Sequence, residues 1–466
     1  MQSLVLSLLT GIAVASPVRQ ASKRAVRSPT APLRFNDDGT FQLSIFEDLH
    51  FGENAWDDWG PQQDVASVKV INQVLDAETP DLVILNGDLI TGENAFLENS
   101  TIYVDQIVAP LLERNLSWAS TYGNHDSQYN LSRVDILARE KMWPNARTTN
   151  MLGSDAAGVS NYYLPVYSSS CAAADDPTLT ADEVADACVP ALILWFFDSR
   201  GGFKFQQLDA EGNQVPEATW VDDSVVQWYK ETEAALLAKY SAAVPRARCS
   251  QGQTKLILPS LGFVHIPTYA SYLLQTQAGL GIDAAREPGI NDDYPLAPQT
   301  EYWCAGNVYD ATATCAYAGQ DRAFMEAVAA AASPVSGPVA GQLVSAGGMA
   351  ALFSGHDHGD TWCYKWNDEL TSALDGLDGL DGNGLNLCFG QHSGYGGYGS
   401  WIRGARQVLV NETQLQAAAA SYSRPSVDTW IRLESGDIVG SVSLNATYGT
   451  DVYPVTPDDT TSCPTC

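Results

Sequence analysis

The stretch WASTYGNHD, Trp118 to Asp126, runs from an apolar β-type segment straight into an amide, an imidazole and a carboxylate standing side by side. Its first half reads as a buried strand, and its second half as the loop onto which three chemically active side chains emerge. Five more runs share this design: LSIF before Glu47, LVILN before Gly87, ALILWFF before Asp198, KLILP before Ser260 and ALFS before Gly355. Short apolar runs closed by polar or glycine-rich turns predict strands buried on both faces. Between the first two, Gln63 to Ala77 carries Val65, Val68, Ile71, Val74 and Leu75 at helical spacing, so strand, helix, strand is the expected opening unit. Phe324 to Ala332 is another helix candidate, and TWIRLESGDIVGSVSL reads as a hairpin turning across Ser435-Gly436-Asp437. An α/β layered fold follows.

Composition narrows the function classes. The chain has 466 residues, 45% of them apolar and 17% charged, a balance that supports a sizeable core. Its 55 acidic residues against 25 basic ones give a net charge of −30, which repels nucleic-acid backbones and acidic membranes, so neither partner is expected. Residues 1–24 read as a signal peptide and short leader: an apolar stretch from Leu4 to Ala15, too short to span a bilayer, ends in Ala-Val-Ala, and Lys23-Arg24 follows. Residues 448–466 form a polar tail without the hydrophobic end that an anchor signal needs.

Other features agree with a secretory route. Asn99, Asn115, Asn130, Asn411 and Asn445 begin glycosylation sequons. Among nine cysteines, Cys171 with Cys188, Cys304 with Cys315, and Cys363 with Cys388 are placed to close short loops, and the odd number leaves at least one thiol free or intermolecular. Cys463-Pro-Thr-Cys466 has redox spacing but lies in the tail with no following helix, which favours a structural pair. Leu374 to Gly384, LDGLDGLDGNG, misses the calcium-loop spacing and reads as a surface loop.

Five of the six histidines, His50, His125, His265, His356, His358 and His392, sit at or just past the end of an apolar run, among acids, Asn or Gly. Alternate residues of an extended chain point the same way, so Asp48 and His50 can reach one cation, as can His356 and His358. Asp88 adds a carboxylate, Asn124 a neutral amide oxygen and His265 a further imidazole.

In this order the set resembles the calcineurin-like metallophosphoesterases, whose signature runs Asp-x-His, Gly-Asp, Gly-Asn-His-Asp/Glu, His, Gly-His-x-His. The phrases DLHFGE, NGDLITGEN and QHSGYGGYG look like the purple-acid-phosphatase-like secreted or vacuolar branch. The resemblance covers roughly Phe41 to Thr447, one catalytic domain over 41–447. It implies a four-layer αββα sandwich and two transition-metal ions, divalent or mixed-valence, drawn from zinc, manganese or iron. Asp48, His50, Asp88 and His358 would hold the first ion; Asp88, Asn124, His265 and His356 the second, with Asp88 bridging. His125 would protonate the leaving oxygen, and Asp126 would orient its imidazole from behind the ligands.

Two divalent ions against two aspartates and one hydroxide leave about +1, enough to attract a phosphate ester. The implied activity is phosphoric ester hydrolysis by attack of hydroxide generated on the metals, on monoesters first and diesters as the near alternative; a non-catalytic metal-bound scaffold is the reading from another class. Thr91 stands where purple acid phosphatases place an iron-binding tyrosine, so no tyrosinate colour is expected. Gln391 precedes His392 where the resemblance leads one to expect arginine. His392, on a glycine-rich loop with Tyr395 nearby, is the candidate substrate contact, and Arg200 and Arg403 are secondary ones, otherwise surface ion pairs.

Overall fold

Leu82 and Ile84 point into one hydrophobic core while Val83 and Leu85 point into another, which is why LVILN carries no polar face. Pro190–Phe197 repeats the arrangement: Leu192, Leu194 and Phe196 face one core, and Ile193, Trp195 and Phe197 face a third. Strands covered on both faces demand layers above and below them. In a computed structural model, residues 28–96, 100–241, 257–312, 315–333, 348–367, 369–370, 379–421 and 423–463 are described. The signal segment, Asn99, Cys249, Cys466 and positions 374–378 of the LDG repeat lie outside them.

Two sheets make the middle. One has six strands in the order Ile438–Leu444, Val427–Leu433, Gly404–Asn411, Thr40–Phe46, Leu82–Asn86, Trp118–Thr121, the last three mutually parallel. The other has seven, with Pro190–Phe197, Ser260–Val264, Met349–Ser354 and Leu385–Phe389 parallel at its centre. The sheets pack face to face over Leu43, Ile45, Ile84, Phe196, Phe263, Phe353 and Val408. Helices Trp59–Ala77 and Ser100–Glu113 cover the outer face of the first sheet, and Asp223–Ser241, Tyr269–Thr276 and Arg322–Ala332 that of the second. This is the expected αββα sandwich.

Several local expectations need correction. In the first helix Val65 is 68% exposed, and Gly60, Asp64 and Ser67 take places on the buried face instead. The strand assigned to KLILP starts later, at Ser260: Pro259 cannot donate to a ladder, and the Ser260–Val264 segment satisfies the parallel register with both neighbours. Within the LDG segment, Leu380 is buried and Leu380–Asp381 pairs with Glu369–Leu370, so its described end is anchored. The body also extends past both sides of 41–447. Leu33–Arg34 pairs with Tyr162–Tyr167; Tyr448 is buried with its hydroxyl donating to Cys363 O (2.6 Å), and Trp401 bridges Thr460.

Disulfides join Cys171 to Cys188, Cys304 to Cys315 and Cys363 to Cys388, and Cys463 is disulfide-bonded as well. Asn115 is exposed, and Asn130, Asn411 and Asn445 are partly so.

Tyr162, Phe196, Phe263 and Phe353 stack in series across the seven-stranded sheet's inner face, with centroid spacings of 4.4, 5.1 and 5.7 Å. Phe353 is fully buried. Phe353→Ala removes a ring that rigid sheets cannot collapse around, and denaturant unfolding should show a loss of ~3–5 kcal/mol. A loss below about 1 kcal/mol would mean the inter-sheet core is far looser than described.

Candidate metal centre

Every expected ligand leaves the C-terminal end of a parallel strand. Asp48 and His50 follow Thr40–Phe46, Asp88 follows Leu82–Asn86, Asn124 follows Trp118–Thr121, His265 follows Ser260–Val264, and His356 and His358 follow Met349–Ser354. Carboxyl ends of parallel strands are the edge where loops diverge and leave room for a site. Because the two sheets face each other with these ends together, loops from both meet. Asp48, His50 and His358 form one cluster and Asp88, His265 and His356 another, the ligand atoms within each lying within 4.8 Å of one another.

Cross-sheet bonds fix the imidazoles. His265 Nδ1 donates to Asn86 O (2.8 Å) and His358 Nδ1 to Tyr398 O (2.8 Å), which leaves both Nε2 lone pairs turned inward. His356 N donates to the Asp48 carboxylate at 3.2 Å, and His125 N to Asp88 Oδ1 at 2.8 Å. Glycine is required twice. A Cβ at Gly123 would stand 2.1 Å from Asp88 Oδ1, and Gly87, at φ +93°, would put one 2.3 Å from the His265 ring.

The donor atoms and the backbone that carries them fit a cation site in four respects. His50 Nε2 lies 3.2 Å from His358 Nε2, two imidazole nitrogens turned on each other, and His265 Nε2 lies 2.9 Å from Asp88 Oδ2. Asn124 Oδ1 and His356 Nδ1 are buried with no hydrogen-bond partner among the described residues. Asp48, His50, Asp88 and His356 all hold positive φ, at +53°, +49°, +49° and +76°, a strained conformation for residues with a Cβ. Burial pushes His50 down to about 4 and His356 to about 3, and pushes His358 well below the usual imidazole range, the neutral forms that bind cations. Burial also works against charge on His265, but Asp88 beside it raises that imidazole to about 10. The residues fit a pair of metal ions.

His125 stands at the mouth of the cleft, its ring centroid 5.0 Å from that of His50. Burial acts to lower it, yet Asp88 and Glu93 hold it up at about 9. Its partner is Glu93, whose Oε1 lies 2.5 Å from His125 Nδ1. This corrects the role expected of Asp126, which is fully buried and accepts from Leu89 N, Ile90 N and Gly123 N (2.9–3.0 Å). Asp126 shapes the two ligand loops and does not orient His125. Glu93 carried no sequence signal beyond its place in NGDLITGEN, because a short helical turn, Gly92–Asn94, brings it round.

His392 is also misplaced by the sequence reading. It is 1% exposed, its Nε2 bonds Gly396 O (3.1 Å), and its ring lies 3.9 Å from that of His358, so it backs a ligand and does not face substrate. Gln391 Nε2 donates to Ile402 O (2.7 Å), and Tyr395 bonds Glu434, both away from the cleft. Arg200 and Arg403 are buried rather than on the surface: Arg200 binds Trp220 O and Asp222, and Arg403 binds the carbonyls of Gly394, Gly399 and Trp401. Thr91 Oγ1 lies 3.3 Å from His50 Nδ1, steadying the imidazole at the position that lacks tyrosine.

Comparison with known proteins gives the following likenesses. Residues 48–228 match the family model described as calcineurin-like phosphoesterase. Probable inactive purple acid phosphatase 28 of Arabidopsis thaliana is 25% identical over 435 residues, 88% of this chain and 85% of the relative. Probable inactive purple acid phosphatase 14 of the same plant is 24% identical, over 86% and 82% of the two chains. Among solved structures, a dimetal phosphatase from Danio rerio aligns over 87% of this chain and 98% of its own at 12% identity, with a TM-score of 0.43. Residues 48–228 are thus similar to a calcineurin-like phosphoesterase domain, and proteins similar to the chain over most of its length are named as purple acid phosphatases.

Proposed function

We propose that the protein is a dinuclear-metal phosphoesterase that hydrolyses phosphate monoesters. The observation that carries this reading is the meeting of two ligand clusters, from both sheets, beneath one imidazole that is not itself in either cluster. Asp48, His50 and His358 would hold one ion, and Asn124, His265 and His356 the other, with Asp88 between them. When bound, the ions supply Lewis acidity toward phosphoryl oxygens and a nucleophile at moderate pH. Zinc, manganese and iron all suit this mixed nitrogen and oxygen set.

The chain's own contribution is placement. The cleft of about 480 Å³ over the site is lined by His50, Asp88, His125, His356 and His358 among others. In hydrolysis a water oxygen joins phosphorus, the ester P–O bond breaks, and His125 gives its proton to the departing alcohol oxygen. Glu93 holds the imidazole toward the cleft and keeps it charged for that step. Three disulfides in the body and the apolar N-terminal segment support an oxidising, secretory destination, outside the cell or in a vacuole.

The Arabidopsis relatives are named as probably inactive, so turnover is the decisive assay. Metal-loaded protein should hydrolyse an aryl phosphate faster than its bis-aryl counterpart. The reverse order makes it a diesterase, and no turnover of either from acid to neutral pH makes it a metal-bound scaffold. His125→Ala should keep its metal content by elemental analysis yet lose about 10² to 10⁴ in rate on esters with poor leaving groups, and far less on aryl esters that need no proton. Metal loss in that variant would mean His125 is a ligand. Glu93→Gln should show the same leaving-group dependence in weaker form; equal loss on both ester types would remove Glu93 from the proton step.

A further inference from the structure

The cleft is notable for what its walls lack. No lysine or arginine is among its lining residues in the described structure, and the buried Arg200 and Arg403 are committed to backbone carbonyls. Carboxylates take their place: Glu53, Glu93 and Asp357 line the cleft. Glu93 is engaged with His125, but the other two are not. Asp357 is buried; its Oδ1 accepts from Ala297 N (2.8 Å), and its Oδ2 has no hydrogen-bond partner among the described residues. Glu53, at the rim, accepts from Gly397 N (2.5 Å).

One aromatic side chain, Tyr398, joins them in the lining. Tyr398 is half-exposed with its ring stacked 4.0 Å from that of His358. Carboxylates interleaved with aromatic faces attract ammonium groups and repel anions. A phosphoryl group would be drawn in by the metal pair and the His125 imidazole, while a second negative charge, carried on the alcohol, would meet Glu53 and Asp357 in a chain of net charge −30.

We infer that the cleft selects phosphate monoesters whose alcohol carries an amino or quaternary ammonium group, with Glu53 and Asp357 facing that cation. This rests on the phosphoesterase reading above and adds a substrate class to it. A matched series tests it: 2-aminoethyl, 2-hydroxyethyl and carboxymethyl phosphate, with an aryl phosphate as control, on the metal-loaded full chain. kcat/KM should fall in that order, with about tenfold between the first and the third. Glu53→Gln and Asp357→Asn should each narrow the aminoethyl-to-hydroxyethyl ratio several-fold, a ratio within one variant being insensitive to how much of it is folded. Equal rates across the series, or variants that scale all three esters alike, overturn the selectivity while leaving the phosphatase standing. Failure on the aryl control as well overturns the phosphatase and the selectivity with it.

Discussion

The structure depends on bringing the carboxyl ends of parallel strands from two sheets to one edge. The His265 ring reaches across to Asn86 O, and the Asp48 carboxylate receives His356 N, so each sheet's loops are positioned by the other's. These contacts form between groups that are almost fully buried. Buried, uncompensated acceptors are costly, on the order of 1–3 kcal/mol each, and left-handed backbone at Asp48, His50, Asp88 and His356 adds on the order of 1–3 kcal/mol per residue. Such a site persists only because the two-sheet core over-determines it. A pair of cations would turn those clustered donor atoms from a liability into a binding set.

That view also explains the division of labour around the centre. Glu47, Asp126, His392 and Arg403 are buried against the ligand loops, and they hold those loops in shape. The groups free to meet a substrate belong to the rim: His125, Glu93, Glu53 and Tyr398. Support of the loops and access to the cleft therefore fall to different residues, and altering the rim need not disturb the candidate metal ligands.

Much of this was legible in the residues, and the pattern of success is physical. Strands buried on both faces are continuous apolar runs, so five of the six anticipated strands could be located within a few residues and the candidate ligands read from the turns that follow. What escaped was set by three-dimensional neighbours. Val65 fits a helical stripe yet faces solvent because glycine, aspartate and serine pack under the Asp48 loop; Gly52 N, for instance, donates to Asp64 (3.0 Å). Asp126 adjoins His125 in sequence, but consecutive side chains on a turning loop diverge, and Asp126 turns inward to backbone amides while Glu93 arrives from another loop. His392 sits at a strand end like the ligands, and nothing in a linear sequence tells a histidine that faces a cleft from one that backs a ligand.

The most direct measurement is titration of metal-free protein with zinc or manganese, read by calorimetry and by elemental analysis after desalting, in the natural sequence and in Asp88→Ala. Two equivalents per chain are expected for the natural sequence, with both sites weakened together when Asp88 is lost because it stands between the clusters. Binding of one ion or none, or undiminished binding of two after that substitution, would contradict a paired centre.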